Sequence, residues 1–317
     1  MKLLITREQH IGARTKNKTI WFYLWRDKWL YFMLLPAISY YIIFKYIPMY
    51  GLVIAFKDYN VFTGIVESAW NGLDNFKKVF STSMFWIAVR NTLSLNLATI
   101  LMSFPFTILV SLILSDVRST KFKKLSQSVL YLPHFISWVV VAGIATNLFA
   151  QADGSINNLL ANIGFNRVPF LSNSAWWLFT YVVLNVWKEV GWGTIIYLAV
   201  ITGIDESLYE AAYIDGASKI KRVLYITLPM MKSVIVVMLI LSISKMMSIG
   251  LDAPMLIGNT KVINISEVLS TYIYRLGIVK AEYSLSTVIG LFQSVVNIII
   301  LLLADRFSKL IGEEGII

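Results

Sequence analysis

The sequence predicts an all-α integral membrane protein with six transmembrane helices and both termini on the cytoplasmic side. Three observations predict it: a composition too apolar for a soluble domain, six apolar runs of spanning length, and an uneven placement of lysine and arginine in the connections. At 57% hydrophobic and 15% charged residues over 317 positions, the chain falls well short of the roughly one quarter charged residues of an ordinary soluble domain. Its mean hydropathy is +0.68. There is no cysteine, so disulfides and thiolate metal sites are excluded, and the two histidines, His10 and His134, leave little material for a zinc or haem site. The formal charge of +10 does not point to nucleic acid, because the basic residues sit beside apolar runs, as anchors at an anionic leaflet do.

The chain divides into a basic cytoplasmic tail (1–28), a transmembrane domain (29–304) and a short cytoplasmic C-terminal tail (305–317). The tail carries Lys2, Arg7, Arg14, Lys16, Lys18, Arg26 and Lys28. The first apolar run, 29–47, is long, contains Pro36 and has no small-residue cleavage pattern after it, so it reads as a retained span rather than a signal peptide. The other runs are 85–114, 129–150, 176–201, 230–250 and 284–304, each near the 20 or so helical residues that cross a hydrocarbon core. With the N-terminus inside, the cytoplasmic segments hold sixteen lysines and arginines and the outer ones seven, which fixes the N-in, C-in orientation.

Between the fourth and fifth spans lies a polar, basic island, EAAYIDGASKIKRVLYITLP, Glu210 to Pro229. Asp205 is suited to cap a helix through SLYEAAYI, and Gly216 to the left-handed position where such a helix stops. Ser218 can cap a second helix, and Pro229, tolerated in a first turn, marks the entry to the fifth span. Ala211 and Ala212 give the first helix a low-relief surface with Glu210 at its edge. Physically this is a docking knob on the inner face.

Glu210-Ala211-Ala212, three residues, Gly216, nine residues, Ile226, one residue, then Leu228-Pro229 resembles the complete "EAA" signature of the permease subunits of bacterial ABC importers. MYGLVIAFKDYNVF, WNGLDNFKKVF, LYLPHFISWVVVAGI and the IGEEGII tail resemble the sugar and oligosaccharide branch, including complex oligosaccharide and aldouronate-type permeases. The resemblance implies a type I importer permease fold whose island is a coupling helix, with Glu210, Ala211, Ala212, Asp215 and Gly216 in the docking helix and its turn. Leu228 and Pro229 then join it to the fifth span. It implies a second, homologous permease forming a heterodimer, two ATP-binding subunits, an extracytoplasmic solute-binding protein, and a bacterial cell membrane. ATP and Mg belong to the partner ATPase, since this chain has no GxxxxGK[ST] loop and binds no cofactor itself. The outer segments 56–83 and 251–283 would receive the binding protein.

No motif marks the translocation path. Polar groups inside spans usually face a bundle interior or a watery cavity. Tyr181, Asn185, Lys188 and Trp192 step by four, three and four along the fourth span and so share one face. Lys188 lies about 18 Å past Trp176 at ~1.5 Å per residue, close to the midplane. An aromatic ring beside hydrogen-bonding groups suits a sugar, which presents C–H faces and hydroxyls. Asn147 and Lys245 are further path candidates. Against all six stands the bland reading, interhelical hydrogen bonding or snorkelling. His134 reads as interfacial packing, and Pro36, Pro105 and Pro133 as kinks. A stand-alone channel or secondary transporter would leave the coupling signature without a role, and an intramembrane enzyme lacks a His-x-x-x-His or Gly-x-Ser-x-Gly constellation. A permease for a non-sugar solute remains the alternative substrate class.

Overall fold

A computed structural model describes residues 25–310; most of the basic tail, including His10, and the IGEEGII tail lie outside the described residues. The chain divides into two units between Val53 and Ile54. The first contains most of α1 (Lys28–Phe56), which passes through a π turn at Ile42–Tyr46 and ends in 3-10 turns at Tyr50–Phe56. Lys28 lies over the rings of Trp25 and Trp29, at 5.4 and 5.8 Å, an arrangement suited to the headgroup region.

The second unit opens with a two-residue antiparallel pair, β1 (Lys57–Asp58) and β2 (Ala69–Trp70), the sole strands among the described residues. The helices that follow are α2 (Asp74–Ser81), α3 (Ser83–Ser115), α4 (Thr120–Tyr131), α5 (Trp138–Phe149) and α6 (Ser155–Asn162). Then come α7 (Ser174–Thr202), α8 (Glu206–Ile214), α9 (Lys219–Ser244), α10 (Asp252–Ile257), α11 (Leu269–Tyr274) and α12 (Tyr283–Leu310). Side-chain caps start five of them: Asp205 for α8 and Ser218 for α9, as expected from the sequence, and also Ser119 for α4, Ser137 for α5 and Asn173 for α7.

Among the described residues, α1, α3, α9 and α12 are long and apolar enough to cross a membrane, and the bent pair α4–α5 makes a fifth if it is one span. The helix of the expected fourth span, α7, has 29 residues, long enough to cross at ~1.5 Å per residue. Asn185, Lys188 and Glu189 interrupt its apolar sequence. It packs most extensively on α3, where Gly193 meets the Thr107 methyl; on α4, a Cβ at Gly191 would lie 1.8 Å from the Leu130 carbonyl oxygen. Such close approach requires glycine.

Two expected spans are not continuous. The run 129–150 breaks: α4 continues into a 3-10 turn at Leu132–Phe135, and α5 leaves at 101° to it. Pro133 cannot donate a backbone hydrogen bond, and Ser137 starts a new helix by accepting from Val140 N. The run 230–250 is displaced. Its helix begins at Lys219, passes Pro229 without interruption and ends at Ser244. A π turn at Val223–Thr227 absorbs the proline, with Leu228 N bonding Val223 O just before it. The sixth helix also runs past residue 304 to Leu310.

Two buried clusters hold the unit together. One gathers Leu95, Val141, Trp177, Tyr181 and Val268. The other gathers Phe85, Met247, Leu269, Val288 and Ile289.

Candidate functional site

The segment between α7 and α9 is a capped helix and turn. Asp205 accepts from Ser207 N at 3.0 Å, and this backbone hydrogen bond, with the Ser207 hydroxyl, holds the Asp205 carboxyl below the usual carboxylate range. At the other end Gly216 has φ +72°. Ala217 N bonds Ala212 O at 2.9 Å and Gly216 N bonds Tyr213 O at 3.0 Å, the paired bonds of a Schellman stop. α8 therefore ends at Asp215, and Ser218 accepts from Lys221 N to start α9.

No residue of α8 is buried. Glu210, Ala211, Asp215 and Gly216 are exposed, and Tyr213 and Ile214 are 71% and 84% exposed. Ile220 and Tyr225, at the start of α9, are exposed as well. The knob is nonetheless tied to its surroundings. Tyr209 Oη lies 2.9 Å from Thr227 Oγ1 in the π turn, Arg222 packs over the Tyr213 ring at 5.7 Å, and Lys219 pairs with Asp116 beyond the end of α3. α8 is thus tied to α9, and α9 to the end of α3.

The second site is the break between α4 and α5. Lys188, the middle residue of α7, is 6% exposed. Its ammonium donates to the carbonyls of Pro133, His134 and Ile136 at 3.2, 2.6 and 2.8 Å. All three of its donors are committed to carbonyls at the break, of which Pro133 O also accepts from Ile136 N at 3.1 Å, and the cation complements the helix's negative end. His134 Nδ1 is 2.9 Å from Glu189 Oε2 and its ring stacks on Trp192 at 4.6 Å. His134 is therefore part of the break's clamp rather than interfacial packing.

The four residues of the predicted α7 face separate in burial. Tyr181 is buried and stacked on Trp177, Asn185 Nδ2 donates back to Tyr181 O at 2.8 Å, and Lys188 is held in the clamp. Trp192, 46% exposed, presents surface beside Glu189. Asn147 on α5 is exposed, and Lys245 is exposed just past the end of α9.

Three residues that sequence reasoning missed satisfy the second break. Where α9 stops, Asn96 Nδ2 donates to Met246 O at 2.7 Å, Asn297 Oδ1 accepts from Met247 N at 3.0 Å, and Gln293 Nε2 donates to Met247 O at 2.7 Å. The signal was present: amides within apolar runs are costly unless they bond to a neighbouring helix. Both breaks thus follow one rule, that irregular backbone inside a span needs polar side chains from other helices.

Residues 79–313 match the family described as binding-protein-dependent transport system inner membrane component. Over 306 residues the chain is 42% identical to the polygalacturonan/rhamnogalacturonan transport system permease protein YteP of Bacillus subtilis, covering 96% of this chain and 95% of that one. It is 40% identical to Protein LplB of the same organism over 291 residues, 92% of each. A crystal structure of a bacterial ABC transporter involved in the import of the acidic polysaccharide alginate superposes with TM-score 0.86 at 38% identity, covering 93% of this chain and all of that one. A second structure of the alginate transporter, in complex with alginate pentasaccharide-bound periplasmic protein, gives the same TM-score and identity. With its knob, its clamped breaks and these likenesses together, the chain belongs to the binding-protein-dependent transport system inner membrane component family.

Proposed function

We propose that this chain is one permease of a heterodimeric ABC importer that takes up oligosaccharides, uronate-containing ones in particular, by alternating access. It is a transport component rather than a catalyst. Six spans in the N-in, C-in orientation place α8 on the cytoplasmic face of the bacterial inner membrane, and α7 is the span whose polar residues serve the α4–α5 break. Two partner ATPase subunits carry ATP and Mg, and an extracytoplasmic binding protein delivers the solute.

The observation that carries this reading is α8: a short helix, stopped by Gly216, exposed at Glu210, Ala211, Tyr213 and Ile214 and wired into α9. In the mechanism, Glu210, Ala211, Ala212, Asp215 and Gly216 seat in a groove of the ATPase subunit. Closing of the ATPase pair displaces the knob, and the Tyr209–Thr227 and Lys219–Asp116 contacts pass that displacement to α9 and α3. α9 extends about 39 Å at ~1.5 Å per residue, from Lys219 to the break held by Asn96, Gln293 and Asn297. Leu228 and Pro229 sit where its π turn ends, the point at which it can flex. ATP and liganded binding protein each act by favouring one of two states of the assembly.

On the path, Trp192, Asn147 and Lys245 contact the sugar, a reading supported by their exposure, while Tyr181, Asn185 and Lys188 act by shaping it. The uronate class is supported by what the similar permease and transporter are said to carry. The test is uptake into proteoliposomes holding the two permeases, the ATPase and the binding protein, with oligogalacturonates, alginate oligosaccharides and neutral arabino-oligosaccharides offered in turn. ATP-dependent uptake of the acidic sugars is expected. Uptake of amino acids or metal ions with none of these sugars would overturn the sugar reading.

A further inference from the structure

An apolar groove of about 510 Å³ runs between the end of α3 and α4, and neither the coupling knob nor the clamp at the break uses it. Val110 and Ile113 line one wall and Phe122, Leu125 and Val129 the other, with Ser126 the single polar residue on its surface. Among the described residues nothing covers it. Ile113, Phe122, Leu125 and Val129 are each 59% to 62% exposed, and no residue of α4 is buried.

Charge gathers at one end of this groove. Its α4 wall is a helical stripe, with Phe122, Leu125, Ser126 and Val129 at steps of three, one and three. Neighbouring residues on a helix are about 100° apart, so Lys121 and Lys123 flank Phe122 on the two sides of the stripe, while Lys124 lies on the opposite side of the helix. Arg118 stands just before α4 and is exposed, as Lys121 is. Arg118, Lys121 and Lys123 make no ion pair among the described residues, and the nearby carboxylate, Asp116, is taken by Lys219. From this end the apolar walls extend away: Val110 lies five residues before the last residue of α3, about 8 Å along its axis.

The two features together select an amphiphile. A groove with one hydroxyl and no charge along its length fits a hydrocarbon chain, which has no hydrogen bonds to lose on burial, and the volume falls within the range of ligand pockets. Three unpaired cations at its mouth fit an anion, and phosphate is a group that arginine and lysine bind together well. A helix of a partner subunit would fill the apolar part but would have to bring acidic side chains to the level of the mouth. One anionic phospholipid supplies both parts.

We infer that this groove binds an acyl chain of an anionic phospholipid of the cytoplasmic leaflet, with the lipid phosphate held by Arg118, Lys121 and Lys123. Basic residues beside any span attract anionic lipid loosely; the groove makes this a saturable site. Because α4 leads into the break that Lys188 clamps, a lipid bound here steadies the helix on one side of that break. The inference rests on the N-in orientation of the importer reading.

The experiment uses the assembled importer in nanodiscs whose phosphatidylcholine is replaced stepwise by phosphatidylglycerol, and follows hydrogen exchange of residues 118–131. A ligand that binds the folded form suppresses local opening, so exchange should slow and then level off as phosphatidylglycerol rises. Each cation near an anionic surface is worth about fivefold in affinity, so Lys121→Gln combined with Lys123→Gln should leave exchange indifferent to phosphatidylglycerol. In pure phosphatidylcholine the double variant should exchange as the wild type does, which separates lost binding from lost folding. Ile113→Trp keeps all three cations and fills the groove from an exposed position; it should remove the response as well. A wild-type response that is absent, or one that persists in both variants, overturns the site while leaving the importer reading standing. Protection that depends on the second permease or the ATPase and not on lipid charge assigns the groove to that subunit and overturns the proposal too. Orientation is tested separately. The chain has no cysteine, so Lys121→Cys supplies the one thiol of this subunit, which should react with a membrane-impermeant maleimide only after the cells are opened. Reaction on intact cells would overturn the N-in reading and the inner-leaflet site with it.

Discussion

Replacing Lys188 with methionine removes the charge from the middle of α7 while keeping a side chain of similar length. The carbonyls of His134 and Ile136 then lose this donor, and Pro133 O keeps only Ile136 N. Charge-assisted hydrogen bonds contribute about 1.5–3 kcal/mol each in soluble proteins, and interhelical hydrogen bonds measured inside a membrane average about 0.6 kcal/mol. Taking three bonds between the membrane average and the lower of the soluble values, Lys188→Met should destabilise the chain by about 2–5 kcal/mol. Lys188→Arg keeps the charge, but a planar guanidinium cannot aim three donors from one apex, so a loss of about half that size is expected. The assay is SDS-titrated unfolding of the purified assembly, followed by tryptophan fluorescence. A Lys188→Met protein that unfolds at the wild-type SDS fraction, within about 0.5 kcal/mol, would refute the claim that this lysine holds the break.

Other expectations follow from the same geometry. Gly216→Val places a β-branched side chain at φ +72°, where such residues are strained; insertion should persist while substrate-stimulated ATP hydrolysis falls at least tenfold. Gly191→Ala puts a methyl 1.8 Å from the Leu130 carbonyl oxygen, so α7 and α4 must separate and the assembly should lose thermal stability in a scan, whereas Ala at exposed Gly143, which meets nothing within 4 Å, should not. Asn297→Leu leaves Met247 N without its acceptor and should raise hydrogen exchange at residues 245–249 specifically. Asp205 titrates below the usual carboxylate range because Ser207 bonds its ionised form. Its capping contribution is fully present above about pH 4 and is lost as pH falls through the lowered folded-state value, so amide exchange in α8, corrected for its intrinsic pH dependence, should not respond to pH between 5 and 8 through this group.

What could be read from the chain depended on the range of the interactions involved. The knob was legible residue by residue, because Asp205, Gly216 and Ser218 act on backbone groups within a few positions of themselves. Spanning length and the polar character of α7 were legible for the same reason. The first break was legible only as a kink at Pro133, since LPHFIS sits in an apolar run that reads as one span, and the side chain that ties down its carbonyls is Lys188, more than fifty residues away. The stop at Ser244 has no glycine or proline to announce it; Asn96, Gln293 and Asn297 reach it from two other helices. His134 looked like packing because its partner Glu189 is equally distant in sequence. Pro229 was legible as a helix signal, but the π turn that lets α9 run past it depends on hydrogen-bond register, which composition does not display.

The central claim is that α8 couples this permease to an ATPase, and co-purification tests it most directly. The chain would be isolated from its own membranes in mild detergent, as wild type and as Gly216→Val, with the accompanying subunits identified by mass. The account predicts a second permease and an ATPase with the wild-type chain, and retention of the permease with loss of the ATPase in the variant. A wild-type chain that emerges alone and folded, or a variant that keeps its ATPase in full, would contradict it.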